Sequence, residues 1–443
     1  MSLPQLYEFN HSILLICLSI HCLFGASVFW IVGQHLRHRR RAVAAEEALL
    51  ASPLPPDSAL PQVLIQLPTF NEGPLIGRIT NAVANIDWPH ERLHVQILDD
   101  STDGSLAHSE RAVSRLRDSG IKAELLVRSH RNGFKAGALA EGLLCSNERF
   151  VAILDADYVP EPDFLRCCMR PLLMDSNLCL VQARCDYLNG SENVLTYAQQ
   201  RILDGHFAVE QTARNWSGHV MPFNGTCGIW RRDAIDDAGG WQGDTLAEDL
   251  DLSYRAQIRG WRTLFLASVA VRGELPTSLA SWRVQQFRWT KGFAEVGRKL
   301  LGPIWRSRLS LSQKLISSVH LGSGMLGPLL ALTLTTALIE FTVGRGPTWP
   351  VIALAALSLL EGVIVGPALL FLTGQILLRR SSFASEISRL PAVLCLQIVV
   401  GLANFTGALE ALFGLGTPFQ RTPKDATQSA NVNQSEYAPG ARS

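Results

Sequence analysis

The 443-residue sequence has almost no net charge and lacks the cysteine spacing of a zinc site. Its 40 lysines and arginines balance 39 aspartates and glutamates, which leaves a formal charge of +1. Because there is no basic excess, the composition gives no indication of a nucleic-acid partner. The nine cysteines, an odd number, include no pair at CxxC spacing. We therefore predict reduced thiols in a cytosolic setting and no structural zinc.

The apolar residues, 47% of the chain, are concentrated in a few long runs. Residues 13–32 form a run without a formal charge that is long enough to cross a bilayer. The basic block RHRRR follows at residues 37–41, and such a flank favours the cytoplasmic side, so the N-terminus is predicted to lie outside. A signal peptide would carry its charge before the run and a small-residue cleavage site after it, so we predict an uncleaved anchor.

Three further apolar stretches lie in the last third of the chain, at residues 315–339, 351–378 and 390–413. Arg379, Arg380 and Arg389 predict a cytoplasmic loop between the last two stretches. The final stretch either spans the membrane or is re-entrant or interfacial, which leaves the side of the polar tail open. The predicted organisation is an N-terminal anchor with its basic flank (1–45), a cytosolic domain (46–280), amphipathic interface helices (281–314), membrane segments (315–416) and a disordered polar tail (417–443).

The region between the first two apolar stretches alternates between strand-like and helix-like segments. Near-continuous apolar runs at residues 62–70, 94–100, 123–128 and 150–157 are typical of buried parallel strands. Helix-like segments lie between them, among them residues 104–119 and 135–146. This order predicts an α/β fold with a doubly wound, mostly parallel sheet and a ligand site beyond the carboxyl ends of the strands. Polar motifs stand at those ends: PTFNE, DDSTDGS and DADY.

The fourth strand-like run ends in a pair of carboxylates, Asp155 and Asp157, in the sequence VAILDADYVPEPDF. Alternate residues of an extended strand share a face, so both side chains are expected to point the same way. Two like charges at that distance are costly unless a positive charge lies between them. A hard divalent cation, Mg²⁺ or Mn²⁺, suits such oxygen ligands. The alternative is a solvated turn that contains two acids.

Seven motifs in order carry a resemblance to a known family: PTFNE, DDSTDGS, RNGFKAGAL, DADY, FNGTCGIWRR, LAEDLDLSYR and QQFRW. Together they resemble the inverting family 2 glycosyltransferases with the GT-A fold. Within that family the chain is similar to the membrane-embedded β-glycan synthases: cellulose synthase and, more closely, the cellulose-synthase-like mannan and glucan synthases. The resemblance covers residues 60 to 300, and the flanking apolar stretches match the same architecture of a cytosolic GT-A domain with α-helical transmembrane segments.

The resemblance implies a nucleotide-sugar site at the strand ends. Asp155 and Asp157 would hold Mg²⁺ or Mn²⁺, which neutralises charge on the diphosphate leaving group. For Asp99 and Asp100 the alternative is an Asx-type turn, and for Lys135 it is an ordinary surface lysine. The implied donor contacts are Thr69, Glu72, Asp99, Asp100, Lys135 and Arg288.

Direct displacement also requires a base that takes the proton of the acceptor hydroxyl. The family motif is Thr-Glu-Asp, and its aspartate, the base, matches Asp249 in LAEDLDLSYR. Ala247 stands where the motif has threonine, so the resemblance does not extend to the hydroxyl contact which that threonine would supply. The alternative is a helix N-terminus rich in acids, which the helix dipole favours and which is compatible with a base at Asp249.

The acceptor side is implied by two motifs. Gln285, Arg288 and Trp289 form Gln-x-x-Arg-Trp, and helical spacing puts them on one face. Arg288 can bind a diphosphate with its forked guanidinium, while Trp289 and Gln285 bind a sugar. Asn224 and Gly225 of FNGTC match the loop at the acceptor end. The alternatives are an amphipathic helix on the membrane surface and a simple glycine turn.

The expected function is therefore processive synthesis of a β-glucan, β-mannan or glucomannan from a nucleotide sugar, with UDP-glucose slightly preferred over GDP-mannose. One alternative is transfer of a single sugar to a membrane lipid, as in ceramide glucosyltransferases. A non-catalytic membrane scaffold is the other, and the intact acids argue against it. The implied partners are the donor, a growing polysaccharide or glycolipid acceptor, the bilayer, and a second copy or an accessory export subunit.

Overall fold

A seven-stranded sheet lies at the centre of the structure, a computed structural model that describes residues 3–342, 347–378, 382–415 and 422. Its strands, in chain order, are β1 (Val63–Thr69), β2 (Leu93–Asp99), β3 (Lys122–Val127), β4 (Phe150–Ile153), β5 (Leu178–Tyr187), β6 (Gly228–Arg231) and β7 (Arg262–Gly273). Across the sheet the strands lie in the order β3-β2-β1-β4-β6-β5-β7. β6 is antiparallel to both of its neighbours, and the other pairs are parallel. The predicted α/β class with a mostly parallel sheet is confirmed.

Helices connect these strands and continue on either side of them. Those of the sheet region are α2 (Leu75–Ala84), α3 (Leu106–Asp118), α4 (Phe134–Leu144), α5 (Phe164–Met174), α6 (Val194–Asp204), α7 (Thr212–Trp216), α8 (Arg232–Asp237) and α9 (Glu248–Ile258). A π-helical turn, Gly205–Gln211, joins α6 to α7. The flanking helices are α1 (Leu3–Ala51), α10 (Leu279–Arg306), α11 (Leu311–Gly322), α12 (Leu326–Thr342), α13 (Trp349–Leu359), α14 (Gly366–Leu378), α15 (Phe383–Ala403) and α16 (Phe405–Phe413).

The register of the parallel strands brings their carboxyl ends together. Thr69 at the end of β1 pairs with Asp99 at the end of β2. β2 and β4 are buried along their whole length, which accounts for their continuous apolar sequence. β4 ends at Ile153 and not at residue 157, because a turn follows in which the Tyr158 N–H donates to the Asp155 carbonyl at 3.0 Å. Asp155 and Asp157 therefore lie in a turn, and the prediction that they are alternate residues of one extended strand was wrong.

Three helices are long and apolar enough to cross a membrane within the described ranges: Gln5–Ala51, Leu311–Thr342 and Trp349–Leu378. They contain the first three predicted apolar stretches. The fourth stretch, residues 390–413, is divided between α15 and α16 at Asn404 and is not one of these three helices. Arg379 and Arg380 of the predicted loop, and the tail apart from Thr422, lie outside the described residues.

The short helix α16 packs along α10. A Cβ on Gly407 of α16 would lie 3.1 Å from the Phe287 ring of α10. Lys291, which is buried in α10, donates to Glu410 at 2.9 Å and to the Leu415 carbonyl at 2.7 Å. The last apolar residues of the described chain therefore cover the helix that carries the Gln-x-x-Arg-Trp motif.

Candidate active site

A cleft of about 260 Å³ opens at the carboxyl ends of β1, β2 and β4, where a parallel sheet predicts a ligand site. The starts of α4 and α9 and the middle of α10 complete its walls. All of the predicted site residues except Asp99 line it: Thr69, Glu72, Asp100, Lys135, Asp155, Asp157, Asn224, Gly225, Asp249, Gln285, Arg288 and Trp289. The fold thus brings together the residues that were predicted to bind the nucleotide-sugar donor, the residues predicted to bind the acceptor sugar, and the acidic residues.

Lys135 supplies a positive charge beside the paired aspartates. Its Nζ donates to Asp155 Oδ1 at 2.6 Å and to the Gly225 carbonyl at 2.9 Å. Burial acts to lower the pKa of Lys135, but the neighbouring carboxylates, Asp155 above all, outweigh burial and raise this pKa above its ordinary value. Lys135 is therefore a permanent cation of the cleft at neutral pH.

The carboxylate oxygens of Asp155 and Asp157 are ligands that suit a hard divalent cation. The Asp155 side chain is 33% exposed, whereas Asp157 is buried in the wall. Among the residues that the structure describes, no group of three or more His, Cys, Asp or Glu side chains could hold a metal ion. A cation here would complete its shell with substrate oxygens and water, which is the usual arrangement of Mg²⁺ at nucleotide phosphates. The residues present fit such a cation.

Asp249 lies in the first turn of α9, next to Glu248. Burial is the main reason why the pKa of Asp249 rises to about 7, and the negative charge of Glu248 adds to the rise while Lys135 opposes it. Burial also raises the pKa of Glu248. A carboxyl group that titrates near neutral pH is suited to accept a proton during catalysis.

The remainder of this acidic turn holds α9 in place. Asp251 is fully buried and pairs with Arg255 at 2.7 Å and with Lys299 of α10 at 2.9 Å. Ala247 is the N-cap residue of α9 and makes no capping hydrogen bond with its side chain. Its methyl group packs against Gly292 of α10, where a Cβ would come within 2.7 Å. Ion pairs and close helix packing thus position Asp249 without the family's threonine.

Gly225 brings the acceptor loop directly against Asp249. Its φ of +79° lies in the left-handed region that favours glycine. A Cβ at this position would lie 2.9 Å from Asp249 Oδ2 and 3.5 Å from Lys135 Nζ. Only glycine therefore allows the loop to approach both groups at once.

The two aspartates at the end of β2 are engaged within the protein. Asp99 is 1% exposed and accepts hydrogen bonds from the Ser101 N–H at 2.7 Å and the Ser109 hydroxyl at 2.5 Å. The first of these is an Asx-type hydrogen bond, the alternative raised for this motif. Asp100 accepts from Arg128 through both carboxylate oxygens. Any contact of either carboxylate with a nucleotide must add to these bonds or replace them.

A stacked pair that no sequence pattern indicated lies beside Asp100. The guanidinium carbon of Arg131 is 3.4 Å from the centroid of the Phe70 ring, and both residues line the cleft. An aromatic ring at the mouth of a cleft is suited to stack on a nucleobase. Both residues occur in quoted motifs, PTFNE and RNGFKAGAL, but their contact joins two loops that are far apart in sequence. No local signal could have marked it.

Gln285, Arg288 and Trp289 project from α10 into the cleft, in keeping with their helical spacing. Burial lowers the pKa of Arg288, although nearby carboxylates oppose this shift, and a guanidinium stays charged throughout the neutral range. Arg288 Nη2 donates to Thr422 Oγ1 at 3.1 Å. Thr422 itself lines the cleft, so the segment predicted as a tail contributes a residue to the site.

The π-helical turn fixes the side chain of Asn224 at both ends. Asn224 Nδ2 lies 3.0 Å from His206 Nε2, and its Oδ1 accepts a hydrogen bond from Gln211. Gln211 also donates to the Pro222 carbonyl at 3.0 Å. Asn224 therefore orients the loop that carries Gly225 towards Asp249, and no sequence pattern indicated this role.

The motifs and the cleft agree with a direct comparison of the chain with protein families. The model of glycosyltransferase-like family 2 matches residues 61–292, just over half of the chain. The chain belongs to this family. This family 2 glycosyltransferase is 42% identical over 266 residues to "Glucomannan 4-beta-mannosyltransferase 1" of Oryza sativa subsp. japonica, a match that covers 58% of this chain and 51% of the relative.

A second plant relative gives the same picture. "Glucomannan 4-beta-mannosyltransferase 2" of Arabidopsis thaliana is 43% identical over 255 residues, which cover 57% of this chain and 48% of the relative. The chain thus spans about half the length of the curated relatives it matches.

A solved structure supports the fold of the family 2 glycosyltransferase. The mannosyltransferase PcManGT from Pyrobaculum calidifontis, in complex with GDP-Man and Mn²⁺, has a TM-score of 0.54. The match covers 90% of this chain and 100% of that chain at 20% identity. At this identity the likeness concerns the fold, and it confirms the predicted GT-A architecture.

Proposed function

We propose that this family 2 glycosyltransferase is a processive, inverting β-glycan synthase that polymerises a hexose from a nucleotide sugar. The observation that carries the proposal is that one cleft contains the Asp249 carboxyl group together with the cations Lys135 and Arg288. Burial, which raises the pKa of Asp249 to about 7, suits this carboxyl group to accept a proton. Direct displacement requires a proton acceptor on one side of the anomeric carbon of the donor sugar and a binding site for the diphosphate leaving group on the other side. The cleft supplies side chains for both.

In the proposed reaction Asp249 takes the proton of the acceptor hydroxyl. The hydroxyl oxygen forms a bond to the anomeric carbon of the donor while the bond from that carbon to the diphosphate breaks, which inverts the configuration. Lys135 and Arg288 stabilise the negative charge that develops on the leaving group. Trp289, 40% exposed, offers a flat surface to the acceptor sugar, and Gln285 a hydrogen-bonding amide.

Asp155 and Asp157 would hold a divalent cation beside Lys135. Mg²⁺ or Mn²⁺, when bound, polarises phosphoryl oxygens and neutralises their charge. We expect chelation of divalent ions to abolish transfer and re-addition of Mg²⁺ or Mn²⁺ to restore it. Full activity in a chelator, measured after removal of bound metal by dialysis, would contradict this role for the two aspartates.

For the donor we propose GDP-mannose ahead of UDP-glucose. The support is the name shared by the two plant relatives, which are glucomannan 4-β-mannosyltransferases. Their name also makes a β-1,4 linkage the first one to test. Because the chain spans about half of each relative, donor and linkage are proposals for this protein and require their own measurement.

We further propose that the sheet domain faces the cytoplasm and that the N-terminus lies outside, since the basic block at residues 37–41 follows the first span. The three candidate spans found among the described residues are few to enclose a polymer, so a second copy or an accessory export subunit would complete its path. A tag at the N-terminus should be cleaved by protease added to intact cells. A tag that is cleaved only after lysis would contradict this orientation.

The deciding experiment supplies the purified protein in membranes with radiolabelled GDP-mannose or UDP-glucose and with Mg²⁺ or Mn²⁺. The products are divided into ethanol-insoluble polymer and solvent-extractable lipid. Polymer from one donor would support the synthase and identify its substrate, and linkage-specific hydrolases would then test the β-1,4 bond. Label in the lipid fraction alone would instead favour single-sugar transfer to a membrane lipid.

A further inference from the structure

Arginines near the cytosolic-domain end of the first span form a basic surface that the proposed reaction does not use. Arg37, Arg40 and Arg41 lie at positions i, i+3 and i+4 of α1 and therefore share one face of the helix. All three are exposed. Leu36 and Val43 beside them are 60% and 39% exposed. This face thus combines three guanidinium groups with apolar side chains.

A second group of basic residues precedes the span Leu311–Thr342. Arg306 is the last residue of α10, and Arg308 lies in the short connection to α11. Both are exposed. Trp305, next to them, is 48% exposed, and Leu311 is 65% exposed. Here too the chain presents arginines together with large apolar side chains.

The two groups lie next to spans that run antiparallel. His11 Nδ1 lies 2.8 Å from Glu340 Oε1, which joins the beginning of α1 to the end of α12. Further along α1, Phe24 lies against Gly322 at the end of α11, where a Cβ would come within 3.2 Å of the phenyl ring. As the residue number increases along α1, its neighbours on the other helix therefore move towards lower numbers.

The start of α11 lies close to the part of α1 that precedes Arg37, because both contact one turn of the sheet domain. Gln313 donates to the Gly218 carbonyl at 2.7 Å, and the Trp30 ring lies 4.7 Å from the ring of the adjacent His219. Counting from the Phe24–Gly322 contact, Arg37 is 13 residues further along α1 and Leu311 is 11 residues back along α11. At 1.5 Å per residue these distances are about 20 and 17 Å. Because Arg306 and Arg308 immediately precede Leu311, the two groups of arginines lie at the same end of the two spans. We call them the basic collar: Arg37, Arg40, Arg41, Arg306 and Arg308.

The collar lies between the membrane spans and the sheet domain. Beyond it on α1, Glu46 accepts hydrogen bonds from the Ser268 N–H at 2.7 Å and the Ser268 hydroxyl at 2.6 Å, which attaches α1 to β7. In the described ranges no collar arginine has an ion pair or hydrogen bond to a side chain. Residues 296–339, which run from α10 through α11 into α12, contain no aspartate or glutamate. Within the described residues the collar guanidinium groups are therefore exposed and form no ion pair with the protein.

We propose that the basic collar binds the phosphate headgroups of anionic membrane lipids. Guanidinium groups bind phosphates through paired hydrogen bonds, and exposed Trp305 and Leu36 suit the boundary between headgroups and acyl chains. Basic residues next to a span strengthen binding to an anionic leaflet, roughly fivefold in affinity for each residue. The collar thus fixes the height of the sheet domain over the bilayer, and this holds whichever sugar the cleft transfers.

The first test is competition at the wild-type protein. The full chain in neutral maltoside micelles is titrated with fluorescent phosphatidylglycerol, and binding is followed by anisotropy. We expect unlabelled phosphatidylglycerol to compete at least tenfold better than phosphatidylcholine with the same acyl chains or than inorganic phosphate. Equal competition by phosphatidylcholine would show that the protein recognises the acyl chains and not an anionic headgroup. Equal competition by inorganic phosphate would show that the collar is a site for free anions. Either result overturns the proposal.

Variants then locate the binding surface. The triple variant R37Q/R40Q/R41Q should weaken binding of the fluorescent lipid by roughly 100-fold, and the double variant R306Q/R308Q by roughly 25-fold. Glutamine keeps the length and polarity of these exposed side chains. Wild-type affinity in both variants would overturn the assignment. If a variant fails to elute as a folded species in gel filtration, the competition at the wild-type protein remains decisive.

A matched control removes two exposed arginines of the sheet domain. The variant R111Q/R115Q changes α3, away from the spans, and should leave lipid affinity unchanged. Equal weakening in this control and in the double collar variant would show that net charge alone drives binding, and it would overturn a localised surface. Increasing salt should weaken binding to the wild-type protein, because exposed charges are screened.

Discussion

Replacing Asp249 by asparagine tests the proposed base directly. Asparagine keeps the size of the side chain and an oxygen for the Leu250 N–H, which donates to Asp249 Oδ1 at 2.7 Å, but it cannot take up a proton. A general base contributes roughly 100- to 10,000-fold to the rate. We expect kcat to fall by at least about 100-fold, while the affinity for the nucleotide changes little because Lys135 and Arg288 remain.

The pKa of Asp249 also sets the pH dependence of the wild-type enzyme. Only the deprotonated carboxylate can act as base, so kcat/KM should fall tenfold per pH unit below about 7 and level off above it. The negative charge of Glu248 adds to this raised pKa, so Glu248→Gln should move the inflection to lower pH while activity at pH 8 is retained. An inflection that does not move would separate Asp249 from the titrating group.

The same shift has a consequence for stability. The pKa of Asp249 in the folded protein lies above its ordinary value of 3.8, so the native state binds more protons than the unfolded state between these values. The free energy of unfolding therefore falls as pH rises from about 4 to 7. Three pKa units set a ceiling of about 4 kcal/mol, and solvent in the cleft reduces this to about 1–2 kcal/mol. Because asparagine does not titrate, Asp249→Asn removes this loss of stability at high pH.

The assay combines turnover and melting of the same preparations. Transfer from radiolabelled donor is measured from pH 5 to 9, and thermal unfolding at pH 4 and pH 8. Asp249→Asn should be inactive, should melt at a higher temperature than the wild type at pH 8, and should match it at pH 4. An Asp249→Asn enzyme that retains a tenth of the wild-type rate would refute the reasoning, as would a flat profile of kcat/KM in the wild type.

Two further substitutions probe the walls of the cleft. Gly225→Ala should reduce transfer at least tenfold because the new methyl group meets the Asp249 carboxylate at 2.9 Å, whereas Gly218→Ala, also at positive φ but with open space around it, should lose stability and keep activity. Equal loss of activity in the two variants would attribute the effect to backbone strain. Phe70→Leu removes the aromatic ring that stacks on Arg131 and is suited to stack on a nucleobase. This variant should therefore bind GDP roughly tenfold more weakly, as measured by calorimetry. Unchanged binding would exclude Phe70 from the nucleotide site.

Much of the cleft was predictable because its residues stand at the ends of buried strands. Continuous apolar runs mark β1, β2 and β4, and the carboxyl ends of parallel neighbours must meet at one edge of the sheet. Thr69 and Asp99 illustrate this, since they end two separate runs and are paired in the sheet. The helical spacing of Gln285 and Arg288 likewise predicted that both would point the same way.

Other features depend on contacts that a local pattern does not contain. Alternation along a strand could not reveal that β4 stops at Ile153 and that Asp155 begins a turn. The fork between Arg128 and Asp100 and the stack of Arg131 on Phe70 join separate loops. The last apolar stretch has the composition of a membrane segment, yet its second part packs on α10, because composition cannot distinguish lipid from an apolar protein surface.

The π-helical turn shows why the cleft and the membrane helices have to be considered together. Gln375 of α14 donates to Asp204 at 2.9 Å, and Gly374 and Gly205 are small enough for α14 to lie directly on the start of this turn. The turn then holds Asn224 through Gln211 and His206. Inserted residues of this kind recur at functional sites because they redirect side chains without ending a helix. A displacement of α14 would therefore reach the acceptor loop through one continuous helix, and Asp249 lies in direct contact with that loop.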